Sequence, residues 1–335
     1  MKSAYFEAAR ATAGDEFAAT VAEDIVAVER VLCDRLGSNV ETVSAIGDHV
    51  LSAGGKRLRP LFAALWGRAV FTDVDAQRLR NLGAALEMIH MATLIHDDVV
   101  DMAETRRGRP TVSSVYGNNA AILSGDVLLA KAMELLAEDG DLTIIRMVSR
   151  MVVEMAEGEV KEVEARGEFE LNRETHYDIL NRKTAAFISC CCKLGVLVAG
   201  KDDLCNAAEQ YGREVGLAFQ IADDLLDYRA TPETSGKPRA TDFRDGQSTL
   251  PLILLREQLT AEEAEFTKSK FGNGVTETDL DQITEWMSER DCFSTAEQTA
   301  HTHAEAAVNA LGSLKDSPAK SLLHQIATMV VSRNS

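Results

Sequence analysis

Prolines at 60, 110, 232, 238, 251 and 318 are the only six in 335 residues, and that spacing constrains the fold more than any other feature. Proline ends or kinks a helix because it lacks an amide donor and its ring crowds the preceding turn. The long intervals without it are rich in Ala, Leu, Glu, Met and Val and can run as helices. Strand signals are scarce. Within 81–102, apolar positions fall at Leu82, Ala85, Leu86, Ile89, Ala92, Thr93 and Leu94, a helical rather than an alternating period. Similar helices are expected over 118–138, 142–166, 173–199 and 205–228. The fold class expected is all-α. Pro, Gly, Ser and Thr cluster in 231–248, which reads as a loop short enough to be a lid. No repeat of 20 to 50 residues stands out, so the expectation is a single domain over 1–335.

The 81–102 helix ends on an electrostatic problem. HDDVVDMAETRRG, 96–108, places Asp97, Asp98 and Asp101 within five residues, with Asp97 and Asp101 four apart on one helix face. DDLLD repeats the arrangement at Asp223, Asp224 and Asp227. One such cluster is as well explained by a solvated helix end; two, each ending an apolar helical stretch, call for a cation. Mg2+ suits such sites, since it takes few carboxylates and completes its shell with water and substrate phosphates.

Charge and cysteine usage narrow the partners. The net charge of −18 argues against a general binder of nucleic acid or anionic membrane, so an anionic ligand must be held locally. Candidates to hold it are Lys56, Arg57 and Arg59 in GGKRLRP, then Arg106, Arg107 and Arg109, then Lys183 in KTAAF and Lys237 in GKP. Arginine binds phosphate bidentately and lysine supplies a compact charge. Singly each reads as a surface charge; beside two acid clusters they point to a substrate with diphosphate groups and, from the apolar helix walls, a hydrocarbon remainder. The cysteines, at 33, 190, 191, 192, 205 and 292, show no CxxC pair or zinc spacing, and consecutive Cys190, Cys191 and Cys192 read as small core residues. A reducing cytoplasm fits. No apolar run reaches membrane-spanning length, and the first residues offer no signal-peptide core.

In order along 54–252 stand GGKRLRP, EMIHMATLIHDDVVD, RRGRPT, GDVLLAKA, AEGEV, KTAAF, FQIADDLLD, GKP and TLP. The chain thereby resembles the trans-polyprenyl (isoprenyl) diphosphate synthases. The resemblance implies an isoprenoid synthase-type all-α bundle around a deep central cavity, usually in a homodimer. It implies Mg2+, about three ions per site, acting on the diphosphate leaving group. Asp97, Asp101 and Asp223 map onto the main metal ligands, with Asp98, Asp224 and Asp227 completing the two motifs. Lys56, Arg59, His90 and Arg107 map onto the isopentenyl diphosphate site. Arg106, Lys183, Gln220 and Lys237 map onto contacts to the allylic diphosphate. The implied reaction ionises the allylic C–O bond, adds isopentenyl diphosphate to the cation head-to-tail, and returns a proton to the released diphosphate. No protein nucleophile is needed.

Two positions depart from the family pattern: Glu162, where many members have Gln, and Gln247, where many have Lys. Both reduce positive or neutral polarity at the diphosphate end. Among rivals, a di-iron carboxylate bundle needs two ExxH motifs, whereas Glu87 and His90 supply one. A terpene cyclase has no use for a second diphosphate site. A short-chain farnesyl or geranylgeranyl synthase and a non-catalytic subunit of a heteromeric synthase are the remaining alternatives. Ala92 and Thr93 lie about 6–7.5 Å below Asp97 at a helical rise of 1.5 Å per residue, and their small size predicts a medium or long product, about C30 to C50 by the family resemblance. The cavity floor is expected near Met133 or the helix carrying Val148 and Met151.

Overall fold

The computed structural model describes residues 4–106, 108–229 and 238–332. Among these residues the structure is helices and connecting turns, apart from one hairpin in which Thr105–Arg106 pairs antiparallel with Arg109–Pro110. The chain divides into two compact units, Met1–Val148 with Cys191–Ala208 and Ser313–Leu323, and Ser149–Cys190 with Glu209–Gly312 and His324–Ser335.

The first unit contains α1 (Ala4–Ala13), α2 (Asp15–Leu36), α3 (Glu41–Ser52), α4 (Leu58–Val70), α5 (Ala76–Val100), α6 (Val112–Tyr116) and α7 (Asn118–Asp139). Helix α5 is its axis, packed against α2, α4 and α7. Every residue from Leu82 to Ile89 is buried, all but Glu87 uncharged, and a helical stretch this apolar around its circumference belongs inside a fold. Leu82, Leu86, Met88 and Ile89 are fully enclosed, each contributing about 1.5–3 kcal/mol by burial. Leu86→Ala would open a cavity at a cost of about 2–5 kcal/mol. The helix starts five residues before the expected boundary because the Asp75 carboxylate accepts the Arg78 amide at 2.9 Å, an N-cap. It stops at Asp101, whose amide donates to the Asp97 carbonyl at 2.8 Å.

The second unit takes α8 (Leu142–Ala165) from Ser149 onward, α9 (Arg173–Leu180), α10 (Ala186–Val198) through Cys190, and α11 (Cys205–Arg229) from Glu209. Shorter helices follow at Thr241–Arg244, Leu250–Arg256, Ala261–Lys270, Glu277–Glu289 and Cys292–Ala310. Leu217, Ile221 and Leu225 recur every fourth residue on α11 and enter one core with Phe243, Leu255, Phe271, Ile283 and Met287. Phe243 meets Phe271 edge-on at 5.4 Å between ring centres. Two of the later helices open with full capping boxes, Thr260 with Glu263 and Thr276 with Asp279.

The expected helices at 118–138, 142–166 and 205–228 match α7, α8 and α11 to within a residue. The 173–199 segment differs: one π-helical turn, Asn181–Ala185, separates α9 from α10. The expected loop at 231–248 holds a helical turn, Thr241–Arg244; its part at 231–237 lies outside the described residues. Cys190, Cys191, Cys192, Cys205 and Cys292 are buried and Cys33 is exposed, all as free thiols. No helix among the described residues is long and apolar enough to cross a membrane.

Candidate functional site

In the first unit, Asp97, Asp98 and Asp101 occupy the last turn of α5 and its cap, with no basic side chain in that turn. The C-terminal end of a helix carries partial negative charge, so carboxylates there are disfavoured unless a cation joins them. The three are exposed differently. Asp98 is buried, Asp97 half-buried and Asp101 exposed. Asp98 is held by Arg106, whose Nε donates to Oδ1 at 2.7 Å, leaving Asp97 and Asp101 as the more accessible i,i+4 pair.

Arg106 is presented by the hairpin, which is fixed from both ends. Arg109 Nη1 donates to the Ser52 carbonyl at 2.9 Å, His49 Nε2 contacts the Pro110 carbonyl at 2.9 Å, and Thr111 Oγ1 donates to the Ala103 carbonyl at 2.7 Å. Arg107 lies outside the described residues. Gly125 on α7 allows that helix to approach His96 closely: a Cβ there would lie 2.3 Å from His96 Nε2. That packing fixes α5 one residue before Asp97.

Farther back, GGKRLRP forms the turn into α4. Lys56 is exposed and Arg59 half-buried, while Arg57 is buried and paired with Glu87 and Glu29. On α5, His90 and Thr93 are half-buried, with Thr93 Oγ1 donating to the His90 carbonyl at 2.9 Å. Ala92 is buried, Met133 on α7 half-buried, and Val148 and Met151 on α8 buried.

The second unit builds its cluster at the end of α11. Asp223 is exposed, Gln220 and Asp227 are half-buried and Asp224 is buried. Burial first, then Asp242, Asp223, Asp227 and Glu162, raise the Asp224 carboxyl well above the usual range. Its neighbour His176 on α9, with Nε2 3.7 Å from Asp224 Oδ2, is lowered by burial to about 4 and stays neutral. Asp227 has a distinct task. Its two oxygens accept the amides of Thr241 and Asp242, each at 3.0 Å, so it caps the turn Thr241–Arg244. That turn delivers Asp242, a fourth carboxylate absent from the sequence reading, which burial, Asp227, Asp223 and Glu162 push up to about 8. The signal available was the TDFRD run immediately after the acidic motif.

Lys183 sits in the π-helical turn, a local distortion frequent at functional positions. Its ammonium contacts Glu159 Oε2 at 3.0 Å and Glu162 Oε2 more closely still. Against the cost of burial, those carboxylates raise its pKa; it remains charged. Gly158 makes the approach possible, since a Cβ there would stand 2.7 Å from Arg182 Cβ and 2.9 Å from the Lys183 amide. The departure at Glu162 therefore acts directly on Lys183. Lys237 lies outside the described residues.

Among the described residues, no group of three or more His, Cys, Asp or Glu side chains is placed to hold a metal ion. Mg2+ does not require one, because water and substrate phosphates complete its octahedron. Hard oxygen donors crowded at helix C-termini fit that ion.

Residues 40–287 match the family model described as polyprenyl synthetase, a segment that runs through both units. Heptaprenyl diphosphate synthase component 2 of Bacillus subtilis (strain 168) is 34% identical over 313 residues, covering 93% of this chain and 88% of that protein. Octaprenyl diphosphate synthase of Escherichia coli (strain K12) is 33% identical over 318 residues, covering 93% and 97%. Among solved structures, a polyprenyl synthase from Caulobacter crescentus CB15, complexed with calcium and isoprenyl diphosphate, superposes with a TM-score of 0.89 at 33% identity, covering 100% of both chains.

Proposed function

This chain belongs to the polyprenyl synthetase family, and from that premise we propose that it is a Mg2+-dependent prenyltransferase that joins isopentenyl diphosphate head-to-tail to an allylic diphosphate, giving a trans-polyprenyl diphosphate of medium or long chain. The observation that carries this reading is the pair of aspartate clusters, each in the C-terminal turns of a long helix, where the helix's own partial negative charge disfavours carboxylates and an added cation offsets it. The octaprenyl and heptaprenyl relatives support the product class.

We assign Asp97, Asp101 and Asp223 as the residues that would hold Mg2+, about three ions per site, whose positive charge would offset the charge that builds on the diphosphate leaving group. Asp98, tied to Arg106, orients the hairpin. Asp227 orients the turn that carries Asp242. Lys183 leaves its glutamates to contact the allylic diphosphate, together with Arg106, Gln220 and Lys237. Lys56, Arg59, His90 and Arg107 hold isopentenyl diphosphate. Ala92, Thr93 and Met133 set product length. Cations around a diphosphate act through charge-assisted hydrogen bonds that strengthen as the C–O bond breaks.

The working form proposed is a cytoplasmic, single-domain homodimer. Supporting it, large apolar side chains stand exposed at Ile122 and Leu123 on α7, and at Val153, Val160 and Val163 on α8. The Bacillus subtilis relative is named a component 2, which favours a second reading as one subunit of a heteromer; activity of the purified chain alone excludes it. Asp97→Ala and Asp223→Ala test the assignment. Each is expected to cut turnover by orders of magnitude with the helical circular dichroism intact, and near-normal activity in either overturns the metal ligands.

A further inference from the structure

We propose that Arg57 is a positioning residue for isopentenyl diphosphate, its buried ion pair with Glu87 setting the turn that presents Lys56 and Arg59; the role rests on the synthase reading above. The three cations of GGKRLRP divide their labour. Lys56 is exposed and Arg59 half-buried, whereas Arg57 turns inward, its side chain and that of Glu87 each 3% exposed. Arg57 Nη1 donates to Glu87 Oε1 at 2.9 Å and Nε to Glu29 Oε1 at 3.3 Å. One guanidinium thus ties the turn to both α2 and α5.

Two features of this arrangement cost free energy. Arg57 adopts the left-handed conformation, φ 49° and ψ 40°, which a residue with a Cβ rarely takes and which persists only where the surroundings over-determine it. Glu87 Oε2 is buried without a hydrogen-bond partner among the described residues, and such an orphan is disfavoured. A buried ion pair is in any case weak support for stability, since apolar residues of similar volume commonly do as well. Stability explains neither feature. Geometry explains both: the left-handed residue separates Lys56 from the helix that begins at Leu58, and Glu87 lies one turn before His90 on α5. The pair links the cation turn to the helix bearing a further isopentenyl contact, His90.

Kinetics of the first condensation with Glu87→Gln, Arg57→Lys and Arg57→Gly test this. Glu87→Gln keeps the shape and one acceptor, and Arg57→Gly keeps the backbone conformation without the guanidinium. The KM for isopentenyl diphosphate is expected to rise about 5- to 20-fold in Glu87→Gln and Arg57→Gly, and less in Arg57→Lys, while the allylic KM and kcat stay within about twofold. Both KM values rising together, or a fall in melting temperature with neither KM moved, overturns the proposal. An unaltered chain that does not condense isopentenyl diphosphate overturns the synthase reading and this one with it; an active chain whose variants keep the KM ratio overturns this one alone.

Discussion

Glu162→Gln is expected to tighten binding of the allylic diphosphate. Lys183 is 26% exposed and Glu162 18% exposed, and the ammonium is shared between Glu162 and Glu159. A diphosphate must compete with both carboxylates for it. A charge-assisted hydrogen bond contributes about 1.5–3 kcal/mol; partial solvent screening and the remaining bond to Glu159 reduce the gain from releasing one partner to about 1–1.5 kcal/mol. That corresponds to an allylic KM about 5- to 10-fold lower. The isopentenyl KM should stay within about twofold, because no contact of that site is altered. Glu162 also contributes to the raised pKa values of Asp224 and Asp242, so the amide lets both ionise more readily. Steady-state kinetics with each substrate varied at saturating Mg2+ give the two constants. An unchanged or higher allylic KM in a folded, active Glu162→Gln enzyme refutes the competition for Lys183.

Ala92→Phe should shift products toward farnesyl or geranylgeranyl length while sparing the first condensation; an unchanged product distribution in an active variant means the growing tail does not pass this position. For the thiols, one per native chain, Cys33, should react quickly with a thiol reagent at pH 8, and six after denaturation. Burial pushes Cys292 up to about 11, leaving it protonated and unreactive at that pH; rapid reaction of two or more native thiols contradicts the packing.

Long apolar periods made the helices legible, because 3.6-residue spacing survives in any context. Their ends were less so. The first two turns of α5 contain Arg78 and Arg80, and the Asp75 cap that starts it offers no apolar repeat. The π-helical turn at Asn181–Ala185 inserts backbone without changing which residues are apolar, so 173–199 reads as one helix. Within the acidic motifs, spacing groups the six aspartates but does not divide their work. Asp98 with Arg106 and Asp227 with the amides of Thr241 and Asp242 depend on chain segments outside each motif. The same applies to Arg57: GGKRLRP contains three equivalent-looking cations, and only the partners Glu29 and Glu87, about 30 residues away on either side, turn one of them inward. The helical turn at Thr241–Arg244 depends on Asp227 rather than on its own composition, which is why a Pro- and Gly-containing stretch hid Asp242.

The most direct measurement incubates the purified chain with farnesyl diphosphate, labelled isopentenyl diphosphate and Mg2+, then resolves products by length, with a chelator arm alongside. A Mg2+-dependent all-trans series reaching about C30 to C50 is expected if the growing tail passes the small side chains proposed to set product length, Ala92 and Thr93, about one helical turn before Asp97. Label left wholly in isopentenyl diphosphate by a folded chain, or equal incorporation with the divalent ion removed, contradicts the account.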